Sequence, residues 1–211
     1  MRRLPVYLLL DTSGSMRGEP IEAVNTGLRV MISLLRQDPH AFETVSISIR
    51  TFDVDAKVVV PLTALEDLVV PQITPQSGQT HLGRALETLH DKVEAEVRKS
   101  SPDANGDWAS RLFVMTDGNS SDTQIYLEQC PRMRALGFAS IIGCVAGPKA
   151  YKEDLKPLCD HVVALDTVDS AGFNSFFKWV TATISGGNKT MGLASGGTSL
   201  PPPPPEIQVV F

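Results

Sequence analysis

A chain of 211 residues, 42% hydrophobic and 20% charged, is long enough for one large globular domain and short for two. A formal charge of −5, with Lys and Arg scattered along the chain, argues against a nucleic-acid partner, because neutralising phosphates requires clustered basic side chains. The apolar runs are too short for a membrane span or a signal-peptide core. Cys130, Cys144 and Cys159 are odd in number without a C-x-x-C pair and read as small core residues in a reducing compartment, so no membrane partner and a cytoplasmic location are expected.

The first strand is expected at Val6–Leu10, ending abruptly in the polar stretch DTSGSM (11–16). Glu19-Pro20 then resembles a helix start, and Ile21, Val24, Leu28, Met31, Ile32 and Leu35 recur at helical spacing. Val45–Phe52 and Lys57–Leu62, joined by the short acidic link Asp53–Asp55, predict an antiparallel hairpin whose aspartates shape the turn. A second long helix is expected over His81–Lys99, with Leu82, Ala85, Leu86, Leu89 and Val93 on one face, followed by a turn-rich loop at Asp103–Trp108.

Arg111–Met115 is another apolar run ending in polar residues. Helical segments follow from Thr123 to Leu136, interrupted or kinked at Pro131 and stopped by Gly137, with Asn119, Ser120 and Asp122 expected to cap them. Ala139–Val145 and His161–Leu165 read as strands around a short helix at Tyr151–Leu158, and Asn174–Ile184 as a closing amphipathic helix. Strands alternating with helices, with continuous apolar strands such as Val6–Leu10 among them, imply an α/β fold. The expected sheet is open, twisted and mainly parallel, with helices on both faces and one antiparallel edge strand from the hairpin. The domain is expected to span residues 1–186. Residues 187–211, rich in Gly and Ser and then carrying five prolines, read as a tail, or as a docking peptide that offers Glu206 and Ile207–Phe211.

Ligands of open α/β sheets bind outside the carboxyl ends of the strands. Asp11 and Asp117 end two such strands, Ser13 and Ser15 lie on the turn leaving the first, and Thr80 sits at a loop-to-helix junction after Gly78. Taken singly, these aspartates read as caps or turn formers. Together they form an all-oxygen set suited to a hard divalent cation: magnesium, with manganese or calcium as alternatives. Two carboxylates leave such an ion underneutralised, so it should seek an Asp or Glu carboxylate from a protein partner. His81 reads as a surface or capping histidine, while the rim near His81 and Asn119 is the expected partner contact. His40, His90 and His161 are given no role, and Trp108 and Tyr126 are expected to serve packing.

DTSGSM, the threonine of SGQTHLGRAL and MTDG resemble the three parts of the metal-ion-dependent adhesion site of von Willebrand factor type A domains. The resemblance implies a Rossmann-like fold over residues 4 to about 185, with strand order 3-2-1-4-5-6. It also implies that Ser13, Ser15 and Thr80 act as direct or switchable ligands and that Asp11 and Asp117 ligate directly or through water. VYLLLDTSGSMRGEPIEAVNTGL, the LGRAL helix and LPPPPPEI are similar to the bacterial tellurium-resistance-associated TerY-like branch. That branch implies a non-enzymatic interaction module in a stress-response complex with a protein kinase and a phosphatase. Where the TerY-like pattern often has proline soon after TDG, this chain has Asn119-Ser120-Ser121-Asp122. The alternative is a magnesium-dependent phosphatase of haloacid-dehalogenase type using Asp11, but position 13 is serine where a second acid is usual. No G-x-S-x-G or G-x-G-x-x-G motif supports a serine hydrolase or a dinucleotide site.

Overall fold

The computed structural model describes residues 2–76, 78–117, 119–146, 152–165, 170–190, 200–205 and 208–209. Its centre is β1 (Leu4–Asp11), buried along its whole length. Side chains alternate across a strand, so Leu4, Val6, Leu8 and Leu10 enter one apolar layer while Tyr7 and Leu9 enter the other. β2 (Val45–Phe52) and β4 (Arg111–Thr116) flank it in parallel, placing Leu8 beside Ile49 and Phe113. β3 (Ala56–Ala64) is antiparallel to β2; β5 (Ser140–Ala146) and β6 (His161–Leu165) continue the sheet in parallel. The order is 3-2-1-4-5-6, extended by β7 (Gln208–Val209), which pairs antiparallel with β6. The expected order is therefore present, with a second antiparallel edge strand that hydropathy did not reveal.

α1 (Glu19–Gln37) and α5 (Ser170–Thr190) cover one face, and α3 (Leu82–Glu96) and α4 (Thr123–Ala135) cover the other. A short α2 (Pro39–Thr44) precedes β2. Its signal was present in the sequence: Asp38 accepts N–H bonds from His40 and Ala41, and proline stands in its first turn. Two expectations are corrected. α4 runs through Pro131 without interruption, and the helix expected at Tyr151–Leu158 is a 3₁₀ turn, Lys152–Leu155, with Tyr151 outside the described residues. Gly137 does stop α4, at φ 74°.

α5 continues past Gly186 to Thr190, and described parts of 187–211 lie on the domain. Leu200 packs partly against the core, Pro201 O accepts a 2.9 Å bond from Trp179 Nε1, and Val209 pairs with Val163. Glu206 and Ile207 lie outside the described residues. Cys130, Cys144 and Cys159 are buried free thiols, as expected of core residues. Among the described residues, no helix is long and apolar enough to cross a membrane.

The strand pair β1–β4 is also fixed at its far end. Asp107 receives Arg3 Nε and Nη2 at 3.0 and 2.6 Å, and Trp108 N–H donates to Arg3 O at 2.8 Å. Burial alone would raise the Asp107 pKa, but the bonds from Arg3 and the Arg98 N–H, with both arginine charges, hold it below its ordinary value.

α1 and α5 pack tightly at Gly27, where an added methyl would lie 2.0 Å from Phe177 Cδ2. Gly27→Ala should gain about 1 kcal/mol of helix propensity yet lose more to overpacking, for a net destabilisation of about 1–2 kcal/mol. Urea denaturation measures this, and an unchanged or raised midpoint would contradict the packing described.

Candidate functional site

Pairing of Leu10 with Met115 sets the end of β1 level with the end of β4. Thr116 Oγ1 donates to Asp11 Oδ2 across that pair at 2.7 Å. The other Asp11 oxygen accepts the Ser13 N–H at 2.7 Å, so the chain turns sharply as it leaves the strand. Thr12 fastens the turn to β2, its N–H and hydroxyl both donating to Phe52 O, and Met16 N–H closes a 3₁₀ turn onto Ser13 O. The buried Met16 side chain plugs the turn into the core.

This turn answers the spacing of the two serines. Ser13 Oγ and Ser15 Oγ lie 3.1 Å apart, and Ser15 Oγ donates to Asp117 Oδ1 at 2.9 Å. Asp11, Ser13, Ser15 and Asp117 thus form one hydrogen-bonded cluster across the mouth of β1 and β4. Asp11 and Ser13 are buried, Asp117 is half-buried and Ser15 is exposed. Thr80, also buried, sits on the adjoining loop, where its carbonyl accepts the Ser121 N–H at 2.7 Å. Gln76 N–H reaches Thr12 O and His81 N–H reaches Asp53 O, tying that loop to the serine turn and to the hairpin. The structure therefore brings four of the five expected residues into direct contact and fixes the fifth beside the loop that follows Asp117.

Burial pushes the Asp11 pKa up, opposed by bonds from Thr116 and Ser13, while the Asp117 charge adds to the rise. Burial likewise raises Asp117, opposed by the Ser15 hydroxyl. Among the described residues neither carboxylate has an ion-pair partner. Two sequestered carboxylates and neighbouring hydroxyls, without a cationic side chain, fit a hard divalent cation.

Other expected residues fall differently. His81 occupies the N-cap position of α3 but makes no capping bond; its Nδ1 lies 3.1 Å from Val54 O. Asn119 is exposed on the rim. Asp53 shapes the hairpin turn as expected, accepting the Asp55 N–H at 2.9 Å. Asp122 begins α4, yet its carboxylate does not cap that helix. It accepts the Gly83 and Arg84 N–H groups of α3 at 2.9 and 2.8 Å, and Ser120 Oγ donates to it at 2.6 Å. Sequence reasoning also missed Thr116, whose signal was its place as the last β4 residue before Asp117. The α3–α4 junction is tight: a methyl on Gly83 would lie 2.4 Å from Tyr126 N.

The family model of the von Willebrand factor type A domain matches residues 6–119, more than half of the chain, and the protein belongs to that family. Among solved structures, the chain is similar to proximal thread matrix protein 1 from the mussel byssus, at 17% identity and TM-score 0.64, covering 87% of this chain and 48% of that one. Another structure of the mussel protein has a zinc-occupied MIDAS motif, at 16% identity and TM-score 0.63, covering 87% and 48%. A von Willebrand factor type A protein from Catenulispora acidiphila matches at 16% identity and TM-score 0.62, covering 88% and 43%. The pilus adhesin SpaC from Lactobacillus rhamnosus GG matches at 11% identity and TM-score 0.70, covering 88% and 30%. The chain spans about half or less of the length of these proteins, and at such identities the likeness is one of fold. No curated protein matches.

The Asp122 clamp carries a pH signature. Burial opposes ionisation there, but the Ser120 hydroxyl, the two α3 N–H groups and nearby His81 hold its pKa below the ordinary value. A depressed folded pKa stabilises fully above the unfolded value, about 3.9, and that contribution is lost as pH falls through the folded one. Asp122→Ala should therefore cost about 1–2 kcal/mol at neutral pH. The gap from wild type in urea midpoint should narrow on acidification; a gap independent of pH, or none, would contradict the clamp.

Proposed function

We propose that this domain is a non-enzymatic, metal-dependent protein-interaction module. Ser13, Ser15 and Thr80 hold a divalent cation with Asp11 and Asp117, and a partner's Asp or Glu carboxylate completes the site. Magnesium suits the oxygen set, with manganese or calcium as alternatives. When bound, the cation supplies a positive centre for an incoming carboxylate. The chain's own residues prepare the place for it. Asp11 orients the serine turn through the Ser13 N–H, and Thr116 holds Asp11 in register. Ser15 joins the turn to Asp117 across the mouth of the sheet.

The observation that carries this reading is the Ser13–Ser15–Asp117 cluster built over a buried Asp11 that has no ion-pair partner among the described residues. The zinc-occupied motif of the mussel protein supports it by likeness of fold. Against the phosphatase reading, the chain has Ser13 where a proton-transferring acid would stand, and that hydroxyl faces Ser15. The LGRAL helix and the proline-rich end support a TerY-like setting, a bacterial tellurite or stress-response complex with kinase and phosphatase partners.

Titrating magnesium or manganese against the intact chain by thermal shift and calorimetry tests the site. Wild type should gain stability, about 2.7 kcal/mol at a hundredfold excess over Kd, while Asp11→Asn and Ser13→Ala lose most of the gain. A phosphate monoester assayed in parallel should show no turnover. Absence of any cation-induced shift would overturn the proposal, and turnover abolished by Asp11→Asn would replace it with the phosphatase.

A further inference from the structure

Beside the cluster lies a cleft of about 360 Å³, between α4 and the 3₁₀ turn that follows β5. Its inner wall is shared with the site, because Thr116, which donates to Asp11, also lines the cleft, as do Asn119 and Ser120 on the loop after Asp117. The opposite lining is apolar. Tyr126 and Leu155 are buried there, whereas Leu127 is 51% exposed and carries the apolar wall out to the surface. The floor is held rigid, since the Tyr126 hydroxyl donates to Asp154 O at 2.7 Å and joins α4 to the 3₁₀ turn. Beyond the apolar patch Glu153 pairs with Lys156, while Asp154 is exposed and has no ion-pair partner among the described residues.

We infer that this cleft is the specificity pocket of the metal-dependent interface and receives one or two aliphatic side chains that follow the partner's metal-seeking acid, with a lysine or arginine beyond them meeting Asp154. This rests on the proposed cation site and adds the partner's chemistry to it. The volume falls within the range of ordinary ligand pockets and leaves room for such side chains. The shared Thr116 wall makes them neighbours of the bound acid in one extended segment. The exposed Asp154 and the chain's net charge of −5 favour a cation at the far end. The recognised sequence is thus an acid, one or two apolar residues, then a base.

Three blocked peptides test it on the full chain: acetyl-Asp-Leu-Leu-Lys-amide, acetyl-Asp-Ser-Ser-Lys-amide and acetyl-Asn-Leu-Leu-Lys-amide. Each is titrated by calorimetry or NMR with magnesium and again with chelator. The Asp-Leu-Leu peptide should bind in magnesium about tenfold or more tightly than the serine peptide, the gain expected from burying a leucine, and more tightly than the asparagine peptide, which lacks the metal-seeking carboxylate. Leu127→Ser, at an exposed position, should bring it within about twofold of the serine peptide while leaving the magnesium-induced thermal shift unchanged. Equal magnesium-dependent binding of the leucine and serine peptides would overturn the pocket and leave the cation site standing. Loss of the magnesium shift itself would overturn the cation site, and the pocket with it. Leucine-dependent binding indifferent to chelator and to the Asp/Asn exchange would show an apolar groove uncoupled from metal and would overturn the inference. Self-association of the chain abolished by Leu127→Ser would do so too, by assigning the groove to a second copy.

Discussion

The parallel register of β1 against β4 determines where the polar side chains at the sheet's edge can meet. With Leu10 opposite Met115, the next residues out of the sheet are Asp11 and Thr116, and the Thr116 hydroxyl closes on the Asp11 carboxylate. A slip of one residue would turn the side chains to the opposite face and bury Asp11 against apolar neighbours without that donor. The register is pinned at both ends, by Arg3 and Asp107 where the strands enter and by Thr116 and Asp11 where they leave. The polar mouth is therefore a consequence of how the core strands are aligned.

From that mouth, three loops are stitched rather than merely adjacent. Asp11 bends the first, Gln76 and His81 bind the second to it and to the hairpin, and Ser121 joins the third to Thr80. Each bond uses a backbone group that would otherwise be left unpaired near the surface, so the geometry is set by the same satisfaction rule that shapes the rest of the fold. α3 and α4 reinforce the third loop, because Asp122 spans from the start of one helix to the first N–H groups of the other. The charged cluster sits on a rigid frame, and the rigidity extends into the neighbouring cleft through Tyr126.

Much of this was legible in the residues, for identifiable reasons. β1 is buried on both faces, so its apolar run is continuous and visible in hydropathy, while β2 shows through its alternating β-branched residues Val45, Ile47 and Ile49; α1 and α3 announce themselves by spacing. The Asp11, Ser13, Ser15 and Asp117 grouping followed from placing polar residues at strand ends. What escaped depended on partners distant in sequence. Asp122 looks like a cap for the helix it begins, and only the fold shows that α3 brings its own unpaired N–H groups within reach. Pro131 promised an interruption or a kink; its missing N–H did not interrupt α4, whose tertiary packing includes the buried Cys130 and Met133. β7 is two residues long, too short for any periodicity, and exists because the β6 edge offers unpaired backbone groups.

The place a divalent ion takes on this chain is the decisive measurement. Crystals of the chain grown with manganese and probed by anomalous diffraction should show one strong peak at the mouth of β1 and β4, with Ser13 and Ser15 hydroxyl oxygens at about 2.0–2.2 Å and Asp11, Thr80 and Asp117 around it. A well-ordered map with the five side chains in place and no peak among them, or with the ion bound elsewhere, would contradict the metal-dependent site.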